Sequence, residues 1–131
     1  MPHYVDTSAA VKLVVKERET AALLAWARSP DRVLVSSDLT RTELLRAVRR
    51  AAPDRLVQAR TVLESMTLLT LPTEQFERAA GLDPEGLRTL DALHLAAALA
   101  LGDELEGIIT YDDRLASAAN AQGIAVVAPG S

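Results

Sequence analysis

Five short runs rich in apolar and β-branched residues, at 3–5, 32–36, 66–71, 107–110 and 124–127, are separated from one another by stretches with helical periodicity at 8–15, 19–27, 39–52, 53–65, 73–80, 90–101 and 114–122. Short continuous apolar runs suit strands buried on both faces, and helices between every pair of strands require crossover connections. This alternation predicts an α/β fold, a three-layer α/β/α sandwich with a mostly parallel five-stranded sheet and right-handed crossovers. Turn residues fall singly between the periodic stretches, with no repeat or linker, so residues 1–131 are expected to form a single domain. Boundary chemistry supports the elements: Asp38 is placed to cap the third helix and Pro53 to start the fourth. Pro72-Thr73 opens the fifth, and Gly102 and Gly123 stand where helices end. In such sheets chemistry collects at the carboxyl ends of strands, near the point where strand order reverses.

Composition narrows the chemistry available there. The chain has no cysteine and only two histidines, His3 and His94, so disulfides and thiolate metal sites are excluded and any metal must be held mainly by oxygen. No purely apolar run exceeds the length of 95–101, far short of the roughly 20 residues of a membrane span. The opening residues lack a basic and an apolar export region, so no membrane association and a cytoplasmic location are expected. The net charge of −4 argues against bulk electrostatic coating of nucleic acid. Between residues 41 and 60, however, six arginines face two acids, a local excess of four positive charges that leaves eight negative ones over the remainder. This stretch reads either as a solvated helix face or as a surface for phosphates or an acidic partner.

Four carboxylates stand out. Asp6 directly follows the first strand and Asp112 lies just past the fourth; each alone could be an Asx turn or a helix cap, but both point to one edge of the sheet. Asp91 is the only charged residue between Leu90 and Gly102, in a helix apolar nearly all round and therefore expected to be buried. A buried lone carboxylate costs several kcal/mol unless a cation or donors compensate it. The first turn of the helix offers one compensation, through backbone N–H groups and the helix dipole. His94, one turn on, reads first as a packed, hydrogen-bonded core residue and second as a ligand or base. Glu43 falls at the border of an apolar stripe formed by Leu44, Val48, Ala51 and Ala52, from which it can pair with Arg46 or reach into a cleft.

All four acids sit at a strand's carboxyl end or in the first half of the following helix, so they can converge on one cleft. Four carboxylates there stay ionised only with a cation, and an all-oxygen set suits Mg2+ or Mn2+. Sites of this kind act on phosphates.

At these residues the sequence resembles the PIN-domain family, and most closely the VapC toxins of bacterial toxin–antitoxin modules, over nearly its whole length. YVDTSAAVKL resembles the first family motif, with Asp6 as its acid and Thr7 and Ser8 as its hydroxyls; DLTRTELLRAVRR resembles the second, carrying Glu43. LRTLDALHLAAALAL resembles the third, with Asp91, and ITYDDRLASAA the fourth, with Thr110 and Asp112, which leaves Asp113 to cap the last helix. The resemblance implies a Mg2+- or Mn2+-dependent endoribonuclease that hydrolyses structured RNA, commonly transfer or ribosomal RNA, to 5′-phosphate and 3′-hydroxyl ends. It also implies a cognate VapB-type antitoxin and a homodimer. Asp6 and Asp91 are then the principal metal-holding residues, Glu43 and Asp112 complete the acidic catalytic set, and Thr7 and Thr110 support them by hydrogen bonds. An acidic cleft repels RNA, so a basic rim is needed, for which Arg46, Arg49 and Arg50 are the candidates.

Other classes fit less well. A phosphatase with an aspartyl nucleophile expects a second acid two residues after the first, where this chain has Ser8, and a phosphoacceptor receiver domain expects a late lysine, whereas the only lysines are Lys12 and Lys16. A PIN-like binding module without nuclease activity, holding a basic partner tail in the acidic cleft, remains the non-enzymatic alternative. Aromatic stacking on RNA has little to draw on, and Trp26 is expected in the core.

Overall fold

The computed structural model describes residues 1–131. Five strands, β1 (Pro2–Val5), β2 (Val33–Ser37), β3 (Thr67–Leu69), β4 (Gly107–Ile109) and β5 (Val126–Val127), form one sheet in the order β3-β2-β1-β4-β5. Every pairing is parallel, with Tyr4 opposite both Val35 and Ile108, so the sheet is wholly rather than mostly parallel. The helices are α1 (Thr7–Lys12), α2 (Thr20–Ala27), α3 (Asp38–Ala51), α4 (Leu56–Glu64), α5 (Thr73–Ala80), α6 (Thr89–Leu99) and α7 (Asp113–Ala121). The expected three-layer α/β/α architecture is therefore present. No helix is long and apolar enough to cross a membrane.

The two-residue period of the strands divides the core. Val5 and Ile109 face one layer, where they pack with Ala9, Leu23, Leu44, Val48 and Leu63 from α1–α4. Tyr4 and Ile108 face the other, against Leu95 and Ala98 of α6 and Leu115 and Ala119 of α7. A third cluster joins Ala79 of α5 to Ala92, Leu93 and Ala96 of α6. Sandwiched between sheet and α5, α6 is buried continuously from Asp91 to Ala98, as its nearly unbroken apolar sequence requires. Trp26 is partly buried against the first layer, edge-on to His3 at 4.8 Å and beneath the Arg32 guanidinium at 4.1 Å.

Several boundaries differ from expectation for local reasons. Residues 53–65 do not form one helix: Ala52 adopts φ −154°, and Pro53–Arg55 make a single 3₁₀ turn before α4 begins. Asp38 is the first residue of α3 rather than its cap; Ser37 holds the cap position with extended backbone, and Asp38 lies 3.6 Å from Arg41. The α3 stripe buries Leu44 and Val48, while Ala51 is exposed because the helix ends there. Gly123 takes up φ +80° one residue past the α7 cap, as expected; Gly102, at φ +58°, lies one position further past α6, whose last turn closes at Ala100 and Leu101. At Gly107 a side chain is excluded by contact rather than by φ, since a Cβ there falls 2.9 Å from the Ala125 carbonyl oxygen.

Candidate active site

In a parallel sheet all strands present their carboxyl ends at one edge, and here the order reverses between β1, which continues to β2 and β3 on one side, and β4 and β5 on the other. Asp6 leaves β1 and Thr110 leaves β4 at this switch point. The Asp6 N–H donates to the Ile109 carbonyl at 3.2 Å, which ties the two exits together.

Asp6 is 3% exposed and caps α1, its Oδ1 accepting the Ala9 N–H at 3.0 Å. Ser8 Oγ donates to both carboxylate oxygens, at 2.7 and 2.9 Å, and Thr110 Oγ1 donates to Oδ2 at 2.6 Å. The same two hydroxyls accept backbone N–H groups from the β4–α7 loop, Ser8 from Tyr111 at 3.0 Å and Thr110 from Asp112 at 3.1 Å. Burial pushes the Asp6 pKa above the ordinary aspartate value, against the opposing hydrogen bonds of Thr110, Ser8 and Ala9.

Asp112 Oδ1 accepts the Arg114 and Leu115 N–H groups at 2.9 and 3.0 Å, which makes it the cap of α7. The expectation that Asp113 caps this helix is thus corrected: Asp113 is its first residue, since only the side chain one position earlier can reach back over the free N–H groups. Asp112 thereby combines a capping oxygen with a second oxygen directed to the site.

Asp91, 9% exposed, lies in the first turn of α6. Its compensation is a residue the sequence did not single out: Arg88 Nε donates to Asp91 Oδ2 at 2.9 Å, and an Nη of the same guanidinium donates to Asp112 Oδ2 at 2.8 Å. The signal was present, because an arginine three residues before a buried acid has the i,i+3 spacing of a helical ion pair.

Glu43 turns away from Arg46 and into the cleft. Its Oε1 accepts Thr7 Oγ1 at 2.7 Å and lies 2.6 Å from Nε2 of His94. Burial acts to raise the Glu43 pKa, but the hydrogen bonds of His94 and Thr7, with the charges of His94 and Arg88, prevail and hold it below the ordinary glutamate value. His94 is buried and hydrogen-bonded as first read, with Nδ1 2.8 Å from Tyr4 Oη, whose hydroxyl donates to Ser37 at 2.9 Å. Because it also meets Glu43, it belongs to the site's framework as well as to the core.

The four acids therefore arrive at one sheet edge, Asp6, Asp112 and Asp91 linked through Thr110 and Arg88 and Glu43 held separately by Thr7 and His94, but they are not gathered into one ligand cluster. No three carboxylate or imidazole side chains are close enough to hold a metal ion as they stand. Arg88 spans Asp91 and Asp112, while Glu43 is turned to Thr7 and His94. The donor chemistry nonetheless fits a hard divalent cation, being carboxylate and hydroxyl oxygen throughout, without sulfur.

A groove of about 1100 Å3 opens from Thr7 and Glu43 along α3. Arg46, Arg49 and Arg50 line it and are exposed, with Phe76 and Leu90 among the apolar residues that border it. The three arginines thus share a groove with Thr7 and Glu43, and Asp6, Asp91 and Asp112 lie outside its lining.

Comparison with known proteins places the chain in a family. The PIN domain family model matches residues 3–121. The chain is 43% identical to Ribonuclease VapC46 of Mycobacterium tuberculosis over 96% of both chains, and 39% identical to Ribonuclease VapC35 of the same species over 97% of this chain and 96% of that one. Among solved structures it resembles Mycobacterium tuberculosis VapC20, a sarcin–ricin loop cleaving toxin, with a TM-score of 0.77 at 19% identity over 98% of this chain and all of that one. It also resembles a chain of a toxin–antitoxin complex from Klebsiella pneumoniae, with a TM-score of 0.71 at 23% identity over 97% of each. These last two likenesses concern the fold; the family model and the sequence relatives carry membership, and the chain belongs to the PIN-domain family, in its VapC ribonuclease branch.

Proposed function

We propose that this protein is a Mg2+- or Mn2+-dependent endoribonuclease and the toxin of a toxin–antitoxin pair, with Asp6, Glu43, Asp91 and Asp112 as its catalytic acids. The observation that carries the reading is the delivery of these four acids, from four different elements, to the switch point of the sheet in a chain whose relatives are named ribonucleases. A divalent cation held by Asp6 and Asp91, completed by Glu43 and Asp112, supplies water activation and charge neutralisation at the phosphate when bound.

The chain's own residues set up that chemistry. Ser8, Thr110 and the Ala9 N–H orient Asp6, and Thr7 and His94 orient Glu43. Arg46, Arg49 and Arg50 hold backbone phosphates along the groove and offset the repulsion between RNA and the acids. With water as the nucleophile and the ribose O3′ as the leaving group, the P–O3′ bond breaks and the cut leaves a 5′-phosphate and a 3′-hydroxyl. Structured transfer or ribosomal RNA is the proposed substrate, in line with the ribosomal loop named for VapC20. The proposed setting is the cytoplasm, as a homodimer neutralised by a VapB-type antitoxin, and the Klebsiella complex supports the existence of such a partner.

Cleavage of total RNA by purified, antitoxin-free protein tests the reading. Discrete fragments in Mg2+ or Mn2+, lost in EDTA and reduced at least about 100-fold by Asp91→Asn, are expected. Folded protein that cuts no RNA in either metal would overturn it in favour of a docking module.

A further inference from the structure

Arg88 is the only lysine or arginine ion-paired with any of the four acids. Its fork joins two elements, with Nε on Asp91 of α6 and an Nη on Asp112 of α7, and in each case it engages Oδ2. The partners differ sharply in how firmly they are fixed. Asp91 is part of a buried helix, and Asp112 is pinned through Oδ1 by two backbone N–H groups at the start of α7. The Arg88 side chain is 64% exposed, on a long flexible stem, while its backbone carbonyl is anchored by the Ala92 N–H at 2.9 Å. The guanidinium can therefore swing into water while the backbones of Asp91 and Asp112 stay in place, and an ion pair whose cation already stands largely in water resists this only weakly.

Resting on the reading of these acids as a cation site, we propose that Arg88 is a built-in counter-cation that competes with the divalent metal for Asp91 and Asp112. With the guanidinium in place, the two Oδ2 atoms are engaged and already neutralised. With it displaced, they are free to take up the ion, and the buried charge of Asp91 passes from one cation to another without ever being left bare. The exchange makes metal loading a competition, so half-occupancy is reached at a higher metal concentration than the acids alone would require.

Mn2+ binding to the metal-free protein, followed by the electron paramagnetic resonance of the free ion without RNA, tests this on the wild type, Arg88→Gln, Arg88→Lys and Arg114→Gln. Arg88→Gln is expected to bind Mn2+ about 3- to 10-fold more tightly, the scale of two exposed ion pairs removed from the competing state. Arg88→Lys, whose point charge cannot fork across two carboxylates, should fall between. Arg114→Gln removes a nearby exposed charge that pairs with no acid, and should leave the affinity within about twofold of the wild type. Equal or weaker binding by Arg88→Gln overturns the proposal, as does an equal gain in Arg114→Gln, which would assign the effect to bulk charge. The outcomes separate from those of the broader reading: wild-type Mn2+ binding that Asp91→Asn abolishes but Arg88→Gln leaves unchanged removes only the role of Arg88, whereas no binding in either wild type or Arg88→Gln removes both.

Discussion

Asp6 and Glu43 are held by hydroxyl and imidazole groups rooted in the protein interior, whereas Asp91 and Asp112 share one guanidinium that stands largely in water. The two halves of the site therefore answer to different physics. In the inner half, every donor to Asp6 also organises backbone: Ser8 and Thr110 each pass a hydrogen bond from the β4–α7 loop to the carboxylate, so site geometry and local folding are one network. In the outer half, geometry is set by helix packing and capping, and the arginine adds charge balance without adding structure. Acids meeting at one edge are thus not equally fixed: the inner pair is held by groups of the protein interior, and the outer pair shares a cation that stands in water.

The strongest way to break this comparison is to remove an interior donor. Thr110→Val deletes the hydroxyl that links Asp6 to the Asp112 N–H, leaving buried polar groups short of a partner, and is expected to lower stability in urea unfolding by about 1–3 kcal/mol. A loss below about 0.5 kcal/mol would mean that the inner network does not organise the fold.

Titration of the metal-free protein sharpens the contrast next. Because the Asp6 pKa is raised on folding, the native state holds that proton more tightly than the unfolded chain does, between the ordinary value of 3.8 and the raised folded value. The stability associated with Asp6 therefore grows as pH falls through that window and is lost as pH rises through the folded pKa. Glu43 has the opposite sign: its lowered pKa gives stability that is full above the ordinary value of 4.5 and disappears as pH falls through the folded one. The stability of wild type minus that of Asp6→Asn, followed by urea unfolding in EDTA, should increase as the solution is acidified. A flat or decreasing difference contradicts the burial argument.

Arg88→Gln should cost less than Thr110→Val, since the guanidinium stands largely in water and Asp91 keeps its place in the first turn of α6, where the helix dipole favours its charge. A cost as large as that of Thr110→Val would erase the distinction between the halves. Replacing Arg46, Arg49 and Arg50 together with Ala should change stability least. It should also flatten the salt dependence of RNA binding, reducing the slope of log K against log salt by about 2. An unchanged slope would remove these arginines from the RNA surface.

Particular residues show what the sequence could and could not convey. The strands and the burial of α6 were readable because short apolar runs and a helix with one charge have few other solutions. Asp91 was recognisable as needing compensation, yet Arg88 was not singled out, since it stands just outside the helix whose periodicity drew attention. Glu43 sat at the edge of its stripe, and only the tertiary neighbours Thr7 and His94 turn it inward. Adjacent acids at 112 and 113 carry the same capping propensity, and the choice between them depends on where β4 releases the chain. Ser8 is legible as a motif hydroxyl, but its hold on Asp6 and that of Tyr4 on His94 and Ser37 are not, for a general reason: polar residues near strand ends look like turn chemistry until their partners across the sheet are known.

On the proposed reading the two halves act together as a cation-dependent hydrolytic site in which water, not the ribose, attacks the phosphate. End-group analysis of RNA fragments produced in Mg2+ decides this. Attack by water gives 5′-phosphate and 3′-hydroxyl ends whose formation stops in EDTA; 2′,3′-cyclic phosphate ends, or cutting that persists in EDTA, would rule it out.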